Sequence, residues 1–384
     1  MDTYVGMIPV LYPLLIERFA LDFSTVGLVS LAYVGTSSLS QPLFGWVADR
    51  YGFRVLRFSL LWTAVVFAAI GFAPSFGVLV VLAAAAGLGS GAYHPFGAVG
   101  VRAIAPEQRR STATSVYVTG GYLGAAVGPL LGVALLWAFG VRGVALTLLP
   151  GLAAALWLLS AFRSLPVETS SSAEPGPRLA EGSAPRDGRA GGAGRTAVVL
   201  QVAAVVGVMM SQVWVLYAIQ AFVPVWYDSL GYGPSFYGAL LTTILLATAF
   251  GTVVCGTLAD RYGKRAVVLG ALLLSIPALL AFAHFIGPAA FLTGALVGLL
   301  VSSTGSLLLV MAQQLLSNRA GLASGAVLGL GFFTGAIGVP ITGMLADAFG
   351  LQAVMMAQAG IAAATIPLAL LLPGEARLAD RREA

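Results

Sequence analysis

The sequence predicts an all-α membrane protein with twelve transmembrane helices in two six-helix, pseudo-symmetric halves. Three observations predict it. Apolar runs of 18 or more residues recur along the 384-residue chain, and a hydrocarbon core of about 30 Å needs a helix of about 20 residues. The pattern Gly45-Trp46-Val47-Ala48-Asp49-Arg50-Tyr51-Gly52 returns 211 residues later as Gly256-Thr257-Leu258-Ala259-Asp260-Arg261-Tyr262-Gly263, which marks an internal repeat. Arg and Lys gather in alternate loops, as they do where one side of a membrane retains positive charge.

Hydrophobic residues make up 59% of the chain and charged ones 9%, with a mean hydropathy of +0.93. That is too little charge to cover a soluble surface. A soluble protein with buried helices would show polar faces at a 3.6-residue period, and these segments are apolar almost all round. The net charge of +5 comes from 19 Arg and one Lys against 15 acidic residues. It is spread over short loops, so it sets topology and predicts no nucleic-acid partner. The single cysteine, Cys255, allows no internal disulfide and suggests no metal cluster. A Met-Asp-Thr start without a basic leader predicts no cleavable signal peptide. The preference for Arg over Lys, with abundant Ala and Gly, points to GC-rich bacterial coding and hence to an inner membrane.

Taken in order, spans are expected near 2-17, 25-48, 55-73, 76-102, 109-138 and 141-162, then near 197-227, 235-259, 265-286, 288-316, 320-347 and 351-372. This gives an N-terminal half over 1-163, a C-terminal half over 196-374 and a tail over 375-384. Between the halves, 164-195 is rich in Ser, Pro, Gly and alternating charge, with too little apolar surface to fold, and reads as a cytoplasmic linker. With termini and linker inside, 18 of the 20 basic residues are cytoplasmic and only Arg18 and Arg142 lie outside. One missing helix would invert every later loop.

The same 211-residue shift maps Gly120, Gly124, Pro129 and Gly132 onto Gly331, Gly335, Pro340 and Gly343. Two patterns sharing one offset imply two halves in the same order and orientation. That is the parallel repeat of a rocking transporter, whose substrate site lies between the halves near mid-membrane.

The doubled Gly-x-x-x-Asp-Arg-x-Gly loops, between spans two and three and between spans eight and nine, resemble the signature of the major facilitator superfamily. The resemblance covers essentially the whole chain. It implies a conformational latch made by Gly45, Asp49, Arg50, Gly52 and Arg54, repeated by Gly256, Asp260, Arg261, Gly263 and Arg265. Gly45 is expected to admit a neighbouring helix, and the charges to stabilise the outward-open state. In span five, Gly120, Gly121, Gly124, Gly128, Pro129 and Gly132 resemble the Gly-Pro signature of antiporter members. Small residues at these spacings give a flat packing face, and Pro129 permits a kink. Span four reads Gly87-Leu88-Gly89-Ser90-Gly91-Ala92-Tyr93-His94-Pro95. With Tyr12-Pro13-Leu14-Leu15 and Gln41-Pro42-Leu43 it resembles the fosmidomycin-resistance branch, which implies export of small drugs against protons. Phe96 stands where that branch commonly has an acidic residue.

Ionisable groups inside a membrane are costly and functional by default. The candidates are Asp2, His94 and Arg102, whereas Asp228, His284 and Asp347 fall at outer ends where solvated loops explain them. His94 is able to exchange a proton near physiological pH; the alternative is a structural histidine bonded to a carbonyl freed by Pro95. Span one offers only about 15 to 17 apolar-rich residues where about 20 are expected. A longer natural chain would place Asp2 inside the membrane as the partner of His94.

The substrate cavity is expected between spans one, four, seven and ten. Its candidate side chains are Tyr4, Tyr12, Tyr93, His94, Gln212, Trp214, Tyr217, Gln220, Ser302, Ser303, Thr304 and Gln313. Gln212 and Gln220 share a helical face and are expected to point into the cavity together. Amides, hydroxyls and rings suit a moderately polar organic molecule. Trp226 and Tyr227 read as part of the outer aromatic belt.

No Walker loop, kinase set, zinc spacing or nucleophile elbow occurs, so neither an enzyme nor a cofactor is expected. The expected partners are a small-molecule substrate, protons and the lipid bilayer, and a monomer suffices. The leading reading is a proton-coupled exporter. An uptake symporter or facilitator for a metabolite, and a non-transporting membrane sensor, stay open.

Overall fold

The structure, a computed structural model, describes residues 1–51, 58–104, 110–161, 192–316 and 320–374. Helix α1 (Asp2–Phe19) carries Pro9 and Pro13 within it, each of which removes a backbone donor and loosens the ladder locally. It stops at Ala20, whose φ of 51° turns the chain into the left-handed region. Asp22 starts the next helix by accepting the Thr25 N–H at 2.7 Å. That helix, α2 (Phe23–Ser30), runs through a π turn (Leu31–Gly35) into α3 (Thr36–Tyr51), making one span of three segments.

The third span is α4 (Ser59–Ala69) with a 3₁₀ turn (Ile70–Phe72), the fourth α5 (Phe76–Ile104) and the fifth α6 (Arg110–Phe139). A 3₁₀ segment (Gly140–Thr147) leads into α7 (Leu148–Ala161), the sixth. The second half follows as α8 (Gly192–Ser229), α9 (Pro234–Tyr262), α10 (Lys264–His284), α11 (Ala289–Val301), α12 (Gly305–Leu315), α13 (Ala320–Phe349) and α14 (Leu351–Leu370).

Among the described residues, eight stretches are long and apolar enough to cross a membrane. One of them covers 42 residues from Thr119 to Ser160, about 63 Å as a single helix. Gly140, at φ 60°, breaks it into two passages. The outer surface fits lipid: Trp137 is 86% exposed, Trp157 71% and Leu292 70%, an apolar exterior that water would not tolerate.

The tenth span departs from the expected single helix. Residues 302–304 interrupt it between α11 and α12. The interruption is tolerated because its polar groups find partners inside the protein: Ser303 Oγ donates to the Gly298 carbonyl at 3.2 Å, and Thr304 shares two hydrogen bonds with Gln212. The expected linker, 164-195, lies outside the described residues except for its last four, which are already helical because α8 begins at Gly192. The tail, 375-384, also lies outside them.

The glycines explain how the helices approach. Gly124, Gly128 and Gly132 turn their bare faces to α1 of the same half; a Cβ on Gly128 would lie 2.8 Å from the Gly6 carbonyl carbon, and one on Gly132 2.6 Å from Met7 Cγ. Gly335 does the same against α8, where a Cβ would meet Val213 Cγ1 at 2.7 Å.

Between the halves, α2 packs on α13, α6 on α9 and α1 on α8. These contacts obey the repeat. A Cβ on Gly27 would lie 2.9 Å from Pro340 Cα, and one on Gly238, 211 residues later, 2.6 Å from Val133 Cγ2 and 3.5 Å from the Pro129 carbonyl. Thr242 Oγ1 adds a hydrogen bond to the Ala126 carbonyl at 2.9 Å. The halves therefore interlock along two seams, both at the end of the bundle that carries the α1–α2 and α8–α9 turns.

Candidate functional site

A cleft lies between the halves behind these seams. It is narrow, with a volume of about 20 Å³, and is lined by Val5, Ile8 and Pro9 of α1, Ser30 of α2, Val34, Tyr217, Gln220 and Ala221 of α8, and Val339 of α13. The contributing spans are one, two, seven and eleven, and none of its lining residues comes from spans four or ten. The proline-loosened α1 and the π turn after α2 shape one wall, and α8 supplies the polar groups of the other. Tyr217 and Gln220 line the cleft as expected, the Tyr217 ring stacked on Phe332 with centroids 6.5 Å apart. Ser30 was not foreseen. It joins because its Oγ is 2.6 Å from the Tyr12 hydroxyl, a pairing that no helical period announces.

Several expected cavity residues face elsewhere. Tyr4 is 6% exposed, packs its ring on Phe67 at 4.7 Å and sends its hydroxyl to the Thr147 carbonyl, inside the N-terminal half. Tyr12 is fully buried between α1 and α2, reaching the cleft only through Ser30. Gln212, 3% exposed, does not join Gln220 in the cavity; its Nε2 donates to Thr304 Oγ1 at 2.9 Å and its Oε1 accepts from the same hydroxyl at 3.1 Å. Ser303 is fully buried in the helix break, and Trp214 fills the space left by Gly338. Gln313 is partly buried on α12. The common cause is that a helix apolar on every side buries its few polar groups wherever a partner exists, and in membranes that partner is often a neighbouring helix. Trp226 and Tyr227 are buried too, at 2% and 0%, in an aromatic cluster with Phe282, Tyr232 and Phe236 instead of an outer belt.

The ionisable candidates do come together. Asp2 Oδ1 lies 3.8 Å from His94 Nε2, with the two side chains 29% and 34% exposed. Asp2 fits against α6 because Gly121 has no side chain; a Cβ there would lie 2.9 Å from Asp2 Oδ2. Tyr93 adjoins the pair, its ring centroid 6.1 Å from that of His94. Arg102 belongs to α5, with its side chain outside the described residues.

At the opposite end of the bundle, Gly52 and Arg54 lie outside the described residues, as do the side chains of Asp49 and Arg50. Among the described residues, none comes within 4 Å of a Cβ built on Gly45 or Gly256. The described contacts between the halves gather at the other end. Asp260 and Arg261 are exposed, the Arg261 guanidinium 5.3 Å from the Tyr262 ring centre. Gly263, at φ 86°, reverses the chain in one residue between α9 and α10, and Arg265 donates to the Leu370 carbonyl at 2.6 Å, covering the end of α14.

Residues 2–233 and again 202–383 match the Major Facilitator Superfamily, so family-level similarity spans the chain in two overlapping passes. The chain belongs to the Major Facilitator Superfamily. It is a multi-pass membrane transporter, a carrier that performs no chemistry on its cargo. It is 32% identical to the uncharacterised MFS-type transporter YfnC of Bacillus subtilis, with 99% of this chain and 91% of that protein aligned. It is 29% identical to the fosmidomycin resistance protein of Escherichia coli, over 92% and 85% of the two chains. Among solved structures, a bacterial homologue of the human lysosomal transporter Spinster superimposes with a TM-score of 0.78 at 18% identity, covering 96% of this chain and 93% of that one. This last likeness concerns the fold.

Proposed function

We propose that this transporter is a proton-coupled exporter of small, moderately polar organic compounds in a bacterial inner membrane, with its Arg-rich loops and both termini cytoplasmic. The carrying observation is the Asp2–His94 pair, 3.8 Å apart and still partly accessible. An ionisable pair at membrane depth is expensive and implies use, and an imidazole beside a carboxylate is able to take up and release a proton. The cleft offers Ser30, Tyr217 and Gln220 for orienting hydrogen bonds among apolar walls, which suits a compact organic molecule and not a multiply charged one. Likeness to a protein named for fosmidomycin resistance supports removal of a small drug as the direction.

Transport proceeds by rocking of 1-163 against 196-374. Asp49, Arg50, Asp260 and Arg261 engage when the halves close at the cytoplasmic end, the reverse of the conformation described. A monomer suffices, because each chain contains both halves.

The test is flux in proteoliposomes under an imposed pH gradient, with fosmidomycin as the first compound of a panel. His94→Ala and Asp2→Asn are expected to abolish uphill movement while leaving downhill counterflow intact. Unchanged coupling in both variants removes the pair from the mechanism. Accumulation driven in the opposite sense establishes uptake instead.

A further inference from the structure

The Gly-x-x-Ala-Asp-x-aromatic-Gly spacing occurs a third time, as Gly343-Met344-Leu345-Ala346-Asp347-Ala348-Phe349-Gly350. This copy stands at the other end of the bundle from the first two and carries Ala348 in place of their Arg. The Asp347 carboxylate crosses between the halves. Its Oδ1 accepts the Phe23 N–H at 2.8 Å and its Oδ2 the Ser24 N–H at 3.0 Å. The first N–H groups of a helix have no partner within it, and the positive end of the helix dipole favours a carboxylate. Asp22, the cap within the same chain segment, accepts the Thr25 N–H. The backbone N–H groups of Phe23 and Ser24 are completed by the opposite half.

The repeat shows that this is specific to one seam. Shifted by 211 residues, Phe23 becomes Pro234, and Asp347 corresponds to Leu136. Pro234 opens α9 with no N–H to satisfy, and Leu136 is buried. The α6–α9 seam thus lacks both the donor equivalent to Phe23 and the carboxylate, whereas the α2–α13 seam has both. A close backbone fit lies beside the bonds, since a Cβ on Gly343 would come within 2.7 Å of Ser24 Cα.

We propose that Asp347 is the gating residue of the α2–α13 seam: it caps α2 across the halves only while this end is shut, and so biases the transporter toward that state. The inference rests on the fold and is independent of the substrate and proton site. A cap that exists in one conformation alone shifts the balance by its own worth, about fivefold for an N-cap.

The full chain in lipid nanodiscs, carrying Cys255→Ser, is spin-labelled at Leu28→Cys and Met344→Cys, both on exposed positions flanking the seam. Pulsed dipolar spectroscopy then gives the fraction of separated seams. Asp347→Ala is expected to raise the open-to-closed ratio about fivefold, and Asp347→Asn, which keeps one acceptor oxygen, by less. Should the alanine variant fail to fold, the asparagine variant carries the measurement. Asp22→Ala is the control, since it removes a cap from the same helix end without touching the other half. Unchanged distances in the Asp347 variants, or an equal shift in Asp22→Ala, overturn the proposal.

Discussion

Placing one methyl group at Gly27 tests whether the seams belong to a moving part or to the fold itself. In Gly27→Ala the new Cβ would lie 2.9 Å from Pro340 Cα, 3.0 Å from its nitrogen and 3.3 Å from the Val339 carbonyl carbon. Ordinary carbon contacts need about 3.5–4.0 Å, and all three obstacles are backbone, so no side chain can rotate away. The halves must separate by roughly 0.5–1 Å at this point, a strain of about 1–3 kcal/mol for an overpacked contact. That strain falls on the interlocked state only. The population with this seam parted therefore rises about 5- to 150-fold. The assay is the rate at which a membrane-impermeant maleimide labels Ser30→Cys in the cleft, in a Cys255→Ser background, with thermal unfolding measured in parallel. Labelling is expected to accelerate while the melting temperature changes little. Gly128→Ala is the contrast, because its obstacles on α1 lie within one half, so it is expected to lower thermal stability without accelerating labelling. Unchanged labelling with a large loss of stability in Gly27→Ala would refute the reasoning, by showing that the contact persists in every state.

Gln212→Leu strands the buried Thr304 hydroxyl and is expected to cost about 1–3 kcal/mol in a denaturation series; adding Thr304→Val recovers part of that loss. Hydrogen bonding to Thr25 holds the Asp22 carboxyl below its ordinary range. A lowered folded-state value contributes stability above the unfolded value near 4 and loses it as pH falls through the folded one. Asp22→Ala is therefore expected to lower stability by about 0.5–1 kcal/mol at neutral pH, the difference closing below about pH 4 in melts across a pH series. Arg265→Leu removes the donor to the Leu370 carbonyl and is expected to speed amide exchange in the last turn of α14 by a few-fold, with little effect in α13.

The architecture was legible because length, charge bias and repeat each constrain it independently. Gly45 with Gly256 and Pro129 with Pro340 fix one offset, and that offset later predicts which glycines meet across the seams. The pairing of Asp2 with His94 was legible through scarcity, since so few ionisable groups lie within spans. The directions of Tyr4, Tyr12 and Gln212 were not. Helices apolar on all sides leave no polar stripe to set their rotation, and a tyrosine hydroxyl bonded to Ser30 or a carbonyl near Thr147 reads like one facing a cavity. An acidic residue at a helix end usually is solvated, and by sequence Asp347 is one of these. Its partners are backbone groups more than 300 residues away, and backbone donors carry no mark in a sequence. The third copy of the motif does not sit at the repeat offset, so the internal repeat does not point to it.

The break at Ser302–Thr304 turns the tenth passage into a jointed limb. An unbroken ladder resists bending along its whole length, whereas here each segment keeps its own hydrogen bonds and flexure concentrates at three residues. The Gly298 carbonyl, supported by the Ser303 hydroxyl, stays satisfied when the lower segment swings. Movement of α12 therefore need not drag α11 with it, and one end of the passage can bend while the other stays packed.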